Sequence, residues 1–439
     1  MTATEPGVSA APRARSSRVL AVWHDTGRSD LESHLSVHGP LPWPRRADDG
    51  WAQSLVEDLR VAGLTGRGGA GFPTARKLES VRGGHRHPLL AVNAMEGEPA
   101  SKKDRALLSA APHLVLDGAE IVAAAIGSRE IALCVADDQD DGARHVKTAL
   151  AERARVGMNR LPAHLLRPPG SYVGGEESAL VAWLDGGPAL PRFRASKGVP
   201  LTIKRRPVLV QSAETLAHVA LIARRGPEWF RGVGRPDAPG TCLVTVSGPL
   251  ANPGVYEIEL GTPVATILER AGIEAPIAAV LVGGYGGSWL RGGLLDTPFA
   301  PGPLAAVGSA VGAGVLAAVA ASSCGIAETA RVATYMANES AGQCGPCLYG
   351  LHDIAQDLIQ LARGENDSRT LTRLTRRLDA VEGRGACGHP DGVVRLVRSA
   401  LEVFARDVAD HARHRPCQGW NRRSVLPVAR SAAPAAGQR

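Results

Sequence analysis

The sequence predicts an α/β protein in three parts: a layered α/β domain, a small β-grasp-like domain and a C-terminal four-helix bundle. Three observations predict it. Apolar strand-like runs alternate with helical ones between residues 51 and 235. A strand, hairpin, helix, strand pattern occupies 236–300. Four runs between 326 and 412 carry apolar residues at i, i+3 or i+4, enough for a bundle. At 439 residues the chain is long enough for two to four domains.

Residues 1–50 are rich in Pro, Arg, Ser and Asp and read as a loose tail with some short structure. In the first domain 88–93 and 130–136 read as strands, 106–126 as one or two helices and 142–155 as a helix. In the second, Asn252-Pro253-Gly254 turns between strands 241–247 and 255–260; a helix over 262–271 has Thr262 at its cap and Pro263 in its first turn. A third strand covers 278–282. Residues 301–324 carry no charge, but they are mostly Ala and Gly. They read as a buried connection leading to a core strand near 314–319, not as a membrane span. The bundle helices cover 326–340, 348–363, 367–381 and 393–412, and 416–439 reads as a disordered tail.

The formal charge is +7 and Arg carries most of it, partly at the ends: Arg13, Arg15, Arg18, Arg422, Arg423, Arg430 and Arg439. This reads as solubility or attraction to acidic partners; no basic stripe is interleaved with aromatics, so nucleic acid is not an expected partner. Seven cysteines, an odd number without a secretory leader, argue against a disulfide framework.

Residues Gly66, Arg67, Gly68, Gly69, Ala70, Gly71 and Phe72 form a glycine-rich loop matching G-x-G-x-x-G, although a helical pattern precedes it where a dinucleotide fold has a strand. Successive glycines let backbone N–H groups converge on a phosphate or a flat ring, and Arg67 and Lys77 add positive charge. A plain surface turn is the alternative. Asn93, Glu96 and Glu98 follow a predicted strand, where α/β proteins place ligand groups; Glu176 and Glu177 open a later helix. These carboxylates suit ribose or ribityl hydroxyls, or simple helix capping. Cys344 and Cys347 form C-x-x-C at a helix joint, with Cys387 further on. That set suits an iron–sulfur cluster. A redox dithiol lacks its βαβ context, and zinc needs a fourth ligand such as His389. Cys134 and Cys242 read as core residues, Cys324 as buried or near the site, and Cys417 as free.

Taken in order, these motifs resemble the NADH-oxidising flavoprotein (51 kDa type) subunit of respiratory complex I, a family that includes diaphorase subunits of NAD-linked hydrogenases and formate dehydrogenases. The likeness covers roughly residues 50–405: the 66–74 loop with Lys77, the 93–105 segment, Tyr172 to Leu180, Glu214-Thr215-Leu216-Ala217, the 247–260 segment of an SLBB-type β-grasp domain, and 339–347 with Cys387. It implies FMN on the glycine loop, with Asn93, Glu96, Tyr172, Gly175, Glu176, Glu177 and Ser212 around it. It implies NAD(H) stacked on the flavin near Phe72, with Glu98 and Glu177 beside the nicotinamide, and a [4Fe–4S] cluster on Cys344, Cys347 and Cys387. Four positions, at three places, depart from the family pattern. Ala341 stands for the first cluster cysteine, Met95 for an aspartate that contacts FMN, and Gln211-Ser212 for an Asn-Asn pair. The cluster is then expected with Ser340, His389 or water at the fourth position, or as a [3Fe–4S] form.

The expected role is NAD(P)H-dependent electron transfer to a ferredoxin, a two-iron ferredoxin-like subunit or a membrane reductase. The expected location is the cytoplasm, or the inner membrane face through a partner. Two other readings stand beside it: a non-catalytic scaffold subunit, and a zinc-stabilised binding module using Cys344, Cys347, Cys387 and His389.

Overall fold

The structure, a computed structural model, describes residues 17–43, 48–83, 86–193, 199–365 and 367–428. The first domain is built on a five-stranded sheet in the order Ala163–Leu166, Ile131–Val135, Leu89–Ala94, Arg206–Ser212 and Leu201–Ile203. All neighbours run parallel except the last pair. The central strands are near-continuous apolar runs because both sheet faces are covered. Leu90, Val92, Leu133 and Leu209 face one core with the helices Pro112–Ala125 and Ala213–Arg225; Leu89, Ala91, Cys134 and Val210 face another under the helix Glu177–Leu184. The two helices of the first face approach closely at Gly118, where any Cβ would collide with the Leu216 carbonyl. The helical stretch expected over 106–126 is two helices, Lys103–Ala110 and Pro112–Ala125, bent by 95° where Pro112 cannot donate to the preceding turn. Among the described residues no single helix is long and apolar enough to cross a membrane.

The chain leaves Leu89–Ala94 towards one edge of the sheet and returns to pair Arg206–Ser212 on its other side. The strand order therefore reverses between these two strands, and their carboxyl ends lie together, with Asn93 paired to Ser212. Open α/β sheets bind ligands at such a reversal.

The second sheet has the order Ser288–Arg291, Ile277–Val282, Val315–Ala320, Thr241–Ser247 and Gly254–Glu259. Residues 301–325, expected as a separate connection with a core strand, supply the middle strand of this sheet. The strand runs parallel to Thr241–Ser247 and antiparallel to Ile277–Val282. Its two faces enter different cores, Leu316 and Ala318 one and Val315, Ala317 and Val319 the other, so the absence of charge reflects burial on both sides.

The third part holds the helices Gly325–Asn338, Leu351–Arg363, Thr370–Val381 and His389–Val403, with a π-turn at Pro346–Gly350 before the second. The last expected helix is interrupted at Phe404 and resumes as Ala405–Ala412. Phe404 turns inward at the break, against Gly325 and edge-on to Trp289 at 5.2 Å between ring centroids.

Both ends differ from expectation. Residues 17–43 are docked rather than loose. The N–H groups of Arg18, Val19 and Leu20 donate to the Glu257 carboxylate at 2.9–3.0 Å. Buried His34 meets Asp117 at 2.8 Å, and Asp117 also takes Arg153 at 2.6 Å and Arg224. Arg18 is no tail charge: it lies over the Trp229 ring and donates to the Trp229 and Phe230 carbonyls. Residues 416–428 also pack, with buried Leu426 and with Ser424 donating to Glu328 at 2.9 Å. Arg13, Arg15, Arg430 and Arg439 lie outside the described residues.

Replacing Asp117 by Ala leaves the buried Arg224 guanidinium without a carboxylate and Arg153 with Glu120 alone, at 3.3 Å. It should cost about 3–5 kcal/mol in denaturant unfolding. The same region makes stability acid-sensitive. Burial first, then the neighbouring His34, lowers the His38 and His113 pKa values from 6.5 to about 3 and about 4. Between those values and 6.5 these two histidines bind more protons in the unfolded chain, so their contribution to stability is full above 6.5 and is lost as pH drops towards 4. Replacing both histidines by Gln should remove this contribution from the pH dependence of the melting temperature, and a profile unchanged by the double substitution would contradict the assignment.

Candidate active site and metal centre

The glycine loop sits over the strand-order reversal. Gly66 N–H donates to the Phe72 carbonyl and Thr74 N–H to the Leu64 carbonyl, each at 2.9 Å, closing the loop on itself. Gly69 and Gly71 have φ of 105° and 62°, conformations that favour glycine. Gly68 faces Ser212, where an added Cβ would lie 3.4 Å from the Ser212 Cβ. Ser212 caps the helix Ala213–Arg225 through Thr215. The short helix Thr74–Glu79 follows the loop and sends Lys77 back to the Val210 carbonyl at 2.7 Å and to Glu177 at 3.2 Å. Phe72 is exposed, with the Arg76 guanidinium 5.7 Å above its ring. Arg67 does not point at an open anion site. Its backbone N–H donates to Thr215 Oγ1, and its guanidinium donates to Thr65 Oγ1 and the Pro239 carbonyl, bracing the loop against the second domain.

The acidic residues divide by what they already hold. Glu96, at φ 41°, accepts Ser101 Oγ–H and the N–H groups of Asp104 and Arg105, so it caps the helix Lys103–Ala110. Glu176 caps Glu177–Leu184 by accepting from Ser178 and Ala179. Both were expected against the flavin, and both carboxylates accept hydrogen bonds at helix N-termini. Asn93 ties its strand to the second acidic loop, with Nδ2 donating to the Gly175 carbonyl at 2.8 Å. Met95 is buried beneath Gly175.

Glu98 is half-buried where all three parts meet. It accepts the Tyr285 N–H at 2.8 Å and the Ala100 N–H at 3.2 Å, and the Tyr172 hydroxyl donates to it. Burial pushes its pKa up to about 7 against those donors. Tyr172 in turn packs edge-on to His389 and Tyr335. The turn at 283–287, which receives Glu98, is a part of the site that sequence reasoning missed; its run of glycines was the available signal. Glu177 lies beside Lys77, about a third exposed.

The three cysteines converge. Cys344 accepts the backbone N–H groups of Ala386 and Cys347, Cys347 that of Gly342, and Cys387 that of His389. Burial works against the Cys344 thiolate, but these donors hold its pKa below the usual thiol value. Burial first, then Cys344, pushes Cys347 up to about 12. Backbone donors aimed at sulfur are what a thiolate-bound cluster requires. These thiols are not crowded like the ligands of a single ion: among the described residues, the group with all ligand atoms within 4.8 Å is Cys324, His411 and Cys417. His389 gives Nε2 to the Met336 carbonyl at 2.8 Å and keeps a buried Nδ1 without a partner. Glu176 lies near enough to bear on the charge of Cys387, which links the crevice to the cysteine site.

Gly284, at φ 97°, leaves no room for a side chain beside Glu98. Gly284→Ala should therefore destabilise by about 1–3 kcal/mol in denaturant unfolding, and a neutral result would mean that the Glu98 contact is not tight.

The chain matches three sequence families in order: the Nuo51 FMN-binding domain over 59–221, the SLBB domain over 243–279, and the NADH-ubiquinone oxidoreductase-F iron–sulfur binding region over 327–411. It is 31% identical to an F-type subunit of the NADH-quinone oxidoreductase of Rhizobium meliloti, over 83% of this chain and 90% of that protein. It is also 31% identical to the F-type subunit of the Streptomyces coelicolor NADH-quinone oxidoreductase, over 83% and 84%. Among solved structures, a chain of the H2-reduced NAD+-reducing [NiFe]-hydrogenase superposes with a TM-score of 0.79 at 30% identity, covering 90% of this chain and 67% of that one. The sheet reversal under the glycine loop, the SLBB sheet and the cysteine-bearing helices thus occur together in one chain, and that chain belongs to the family of F-type NADH-quinone oxidoreductase subunits, the NADH-oxidising flavoproteins.

Proposed function

We propose that this chain oxidises NADH with FMN held in the crevice between the glycine loop and the paired ends at Asn93 and Ser212. The carrying observation is that pairing: it brings an open glycine loop, a side-chain amide and a helix N-terminus to the one reversal in the sheet. The residues present fit a flavin. A Cβ at Gly68 would stand in van der Waals contact with Ser212, at 3.4 Å, in the space open to a ring, and buried Gln211 Nε2 and Thr74 Oγ1 have no protein partner among the described residues. FMN, when bound, accepts a hydride from NADH and releases electrons singly. The chain supplies orientation and exclusion of water. The glycine N–H groups and the start of helix Ala213–Arg225 attract phosphate. Lys77 holds Glu177, exposed Phe72 offers a face for the nicotinamide, and Glu98 stiffens the floor from beneath. Glu96 and Glu176 act through the helices they cap.

Cys344, Cys347 and Cys387 are proposed to hold a [4Fe–4S] cluster. Ala341 supplies no thiolate, and the unpartnered Nδ1 of His389 favours that residue over Ser340 or water at the fourth iron. The exposed Leu348 and Tyr349 beside Cys347 form the proposed exit for electrons to a ferredoxin-like partner, in the cytoplasm or at the inner membrane face.

Anaerobically reconstituted protein should show flavin absorbance and reduce a dye with NADH; absence of both would overturn the reading and favour a scaffold. Gly68→Val should weaken FMN binding about tenfold, ~1.4 kcal/mol, in a fluorescence titration. Cys387→Ala should keep the flavin and lose the paramagnetic resonance signal of the reduced cluster, and a surviving signal would refute the ligand set.

A further inference from the structure

A second set of metal-binding side chains closes at the other end of the helix Gly325–Asn338, away from the loop that carries Cys344. Cys324 caps that helix, and its buried Sγ accepts the Ala327 N–H at 3.3 Å. His411, fully buried on Ala405–Ala412, directs Nδ1 to the Leu361 carbonyl at 3.2 Å. Its Nε2 is then the lone-pair nitrogen; it lies 3.7 Å from Cys324 Sγ and accepts the Cys417 N–H at 3.0 Å. The ligand atoms of Cys324, His411 and Cys417 all fall within 4.8 Å of one another.

We propose that Cys324, His411 and Cys417 bind a soft divalent cation of the zinc type, which clamps residues 416–428 to the helical domain. Two thiolates and an imidazole select zinc over harder ions. Two outer contacts already match such a site. The imidazole is oriented by a carbonyl through its other nitrogen, and a backbone N–H points at a thiolate sulfur. Asp407, one helical turn before His411, bears electrostatically on both Cys324 and His411 but stands outside the group whose ligand atoms fall within 4.8 Å, so water would complete the coordination. On metal binding, the Cys417 N–H gives up His411 Nε2.

The clamped segment is fitted to its place. At Gly419 a Cβ would crowd the Ser322 carbonyl and the Cys324 nitrogen. Val425 and Leu426 donate to Glu328 at 3.3 Å, and Arg331 donates to the Arg422 carbonyl at 2.6 Å. The cation would therefore pin one end of the helix whose other end leads into the cluster loop.

The test uses the full chain with Cys344→Ala and Cys347→Ala, which silences the iron–sulfur site, purified anaerobically and titrated with Co(II). One equivalent should bind with thiolate charge-transfer and tetrahedral ligand-field bands, and zinc should displace it. Adding Cys417→Ser, a half-buried and conservative change, should abolish the tetrahedral signature with the circular dichroism unchanged. In the otherwise unaltered chain, Cys417→Ser should leave the cluster resonance intact, which separates this site from the electron-transfer reading. Three results would overturn the proposal: no tetrahedral Co(II) bands, bands that survive Cys417→Ser, or a Cys324–Cys417 disulfide recovered by peptide mapping of the anaerobic protein.

Discussion

A buried ammonium fixes the relation between the first domain and the second. Lys103 Nζ lies 2.9 Å from Asp104 and 3.1 Å from Glu214, and all three residues are hidden from solvent. Burial alone would strip the proton from Lys103, but the two carboxylates hold its pKa above the ordinary value. Glu214 also accepts the Leu243 N–H at 2.8 Å from the second sheet. Lys103 begins the helix that Glu96 caps, and Glu214 lies in the helix that Ser212 caps. The helices Lys103–Ala110 and Ala213–Arg225 and the strand Thr241–Ser247 are thus set by one electrostatic arrangement. Its energetic value lies in uniqueness, because a misplaced partner leaves a charge without solvent.

Much of this was legible in the sequence, because the signals were local. The alternation of strand and helix, the turn at Asn252-Pro253-Gly254 and the amphipathic runs each depend on residues within a few positions of one another. The pairing of Asn93 with Ser212 was not legible, and neither was the docking of residues 17–43. Contacts such as His34 to Asp117 or Leu20 to Glu257 join positions far apart in the chain and leave no periodic trace. Glu96 and Glu176 show the same limit on a smaller scale. Local pattern placed Glu96 at a strand end and Glu176 at a helix start and left both ligand binding and capping open; the folded chain shows both carboxylates accepting at helix N-termini.

The departures from the family pattern change character in three dimensions. Met95, besides lacking an acceptor, is a packing residue buried under Gly175. Ala341 removes one sulfur from a loop whose remaining thiols keep their backbone donors. Both changes leave the scaffold of the site intact while altering its polarity, the kind of change that tunes a cofactor more than it dismantles a fold.

The middle strand of the second sheet, Val315–Ala320, has a consequence for how the chain comes into being. It is made last of the five, and until it leaves the ribosome the strands Thr241–Ser247 and Ile277–Val282 have unpaired edges facing each other. Such edges recruit other strands, and pairings between distant segments form slowly. The second domain is therefore exposed to misassembly during synthesis until residue 320 is available, and a nascent chain stalled before that point would be a sticky intermediate.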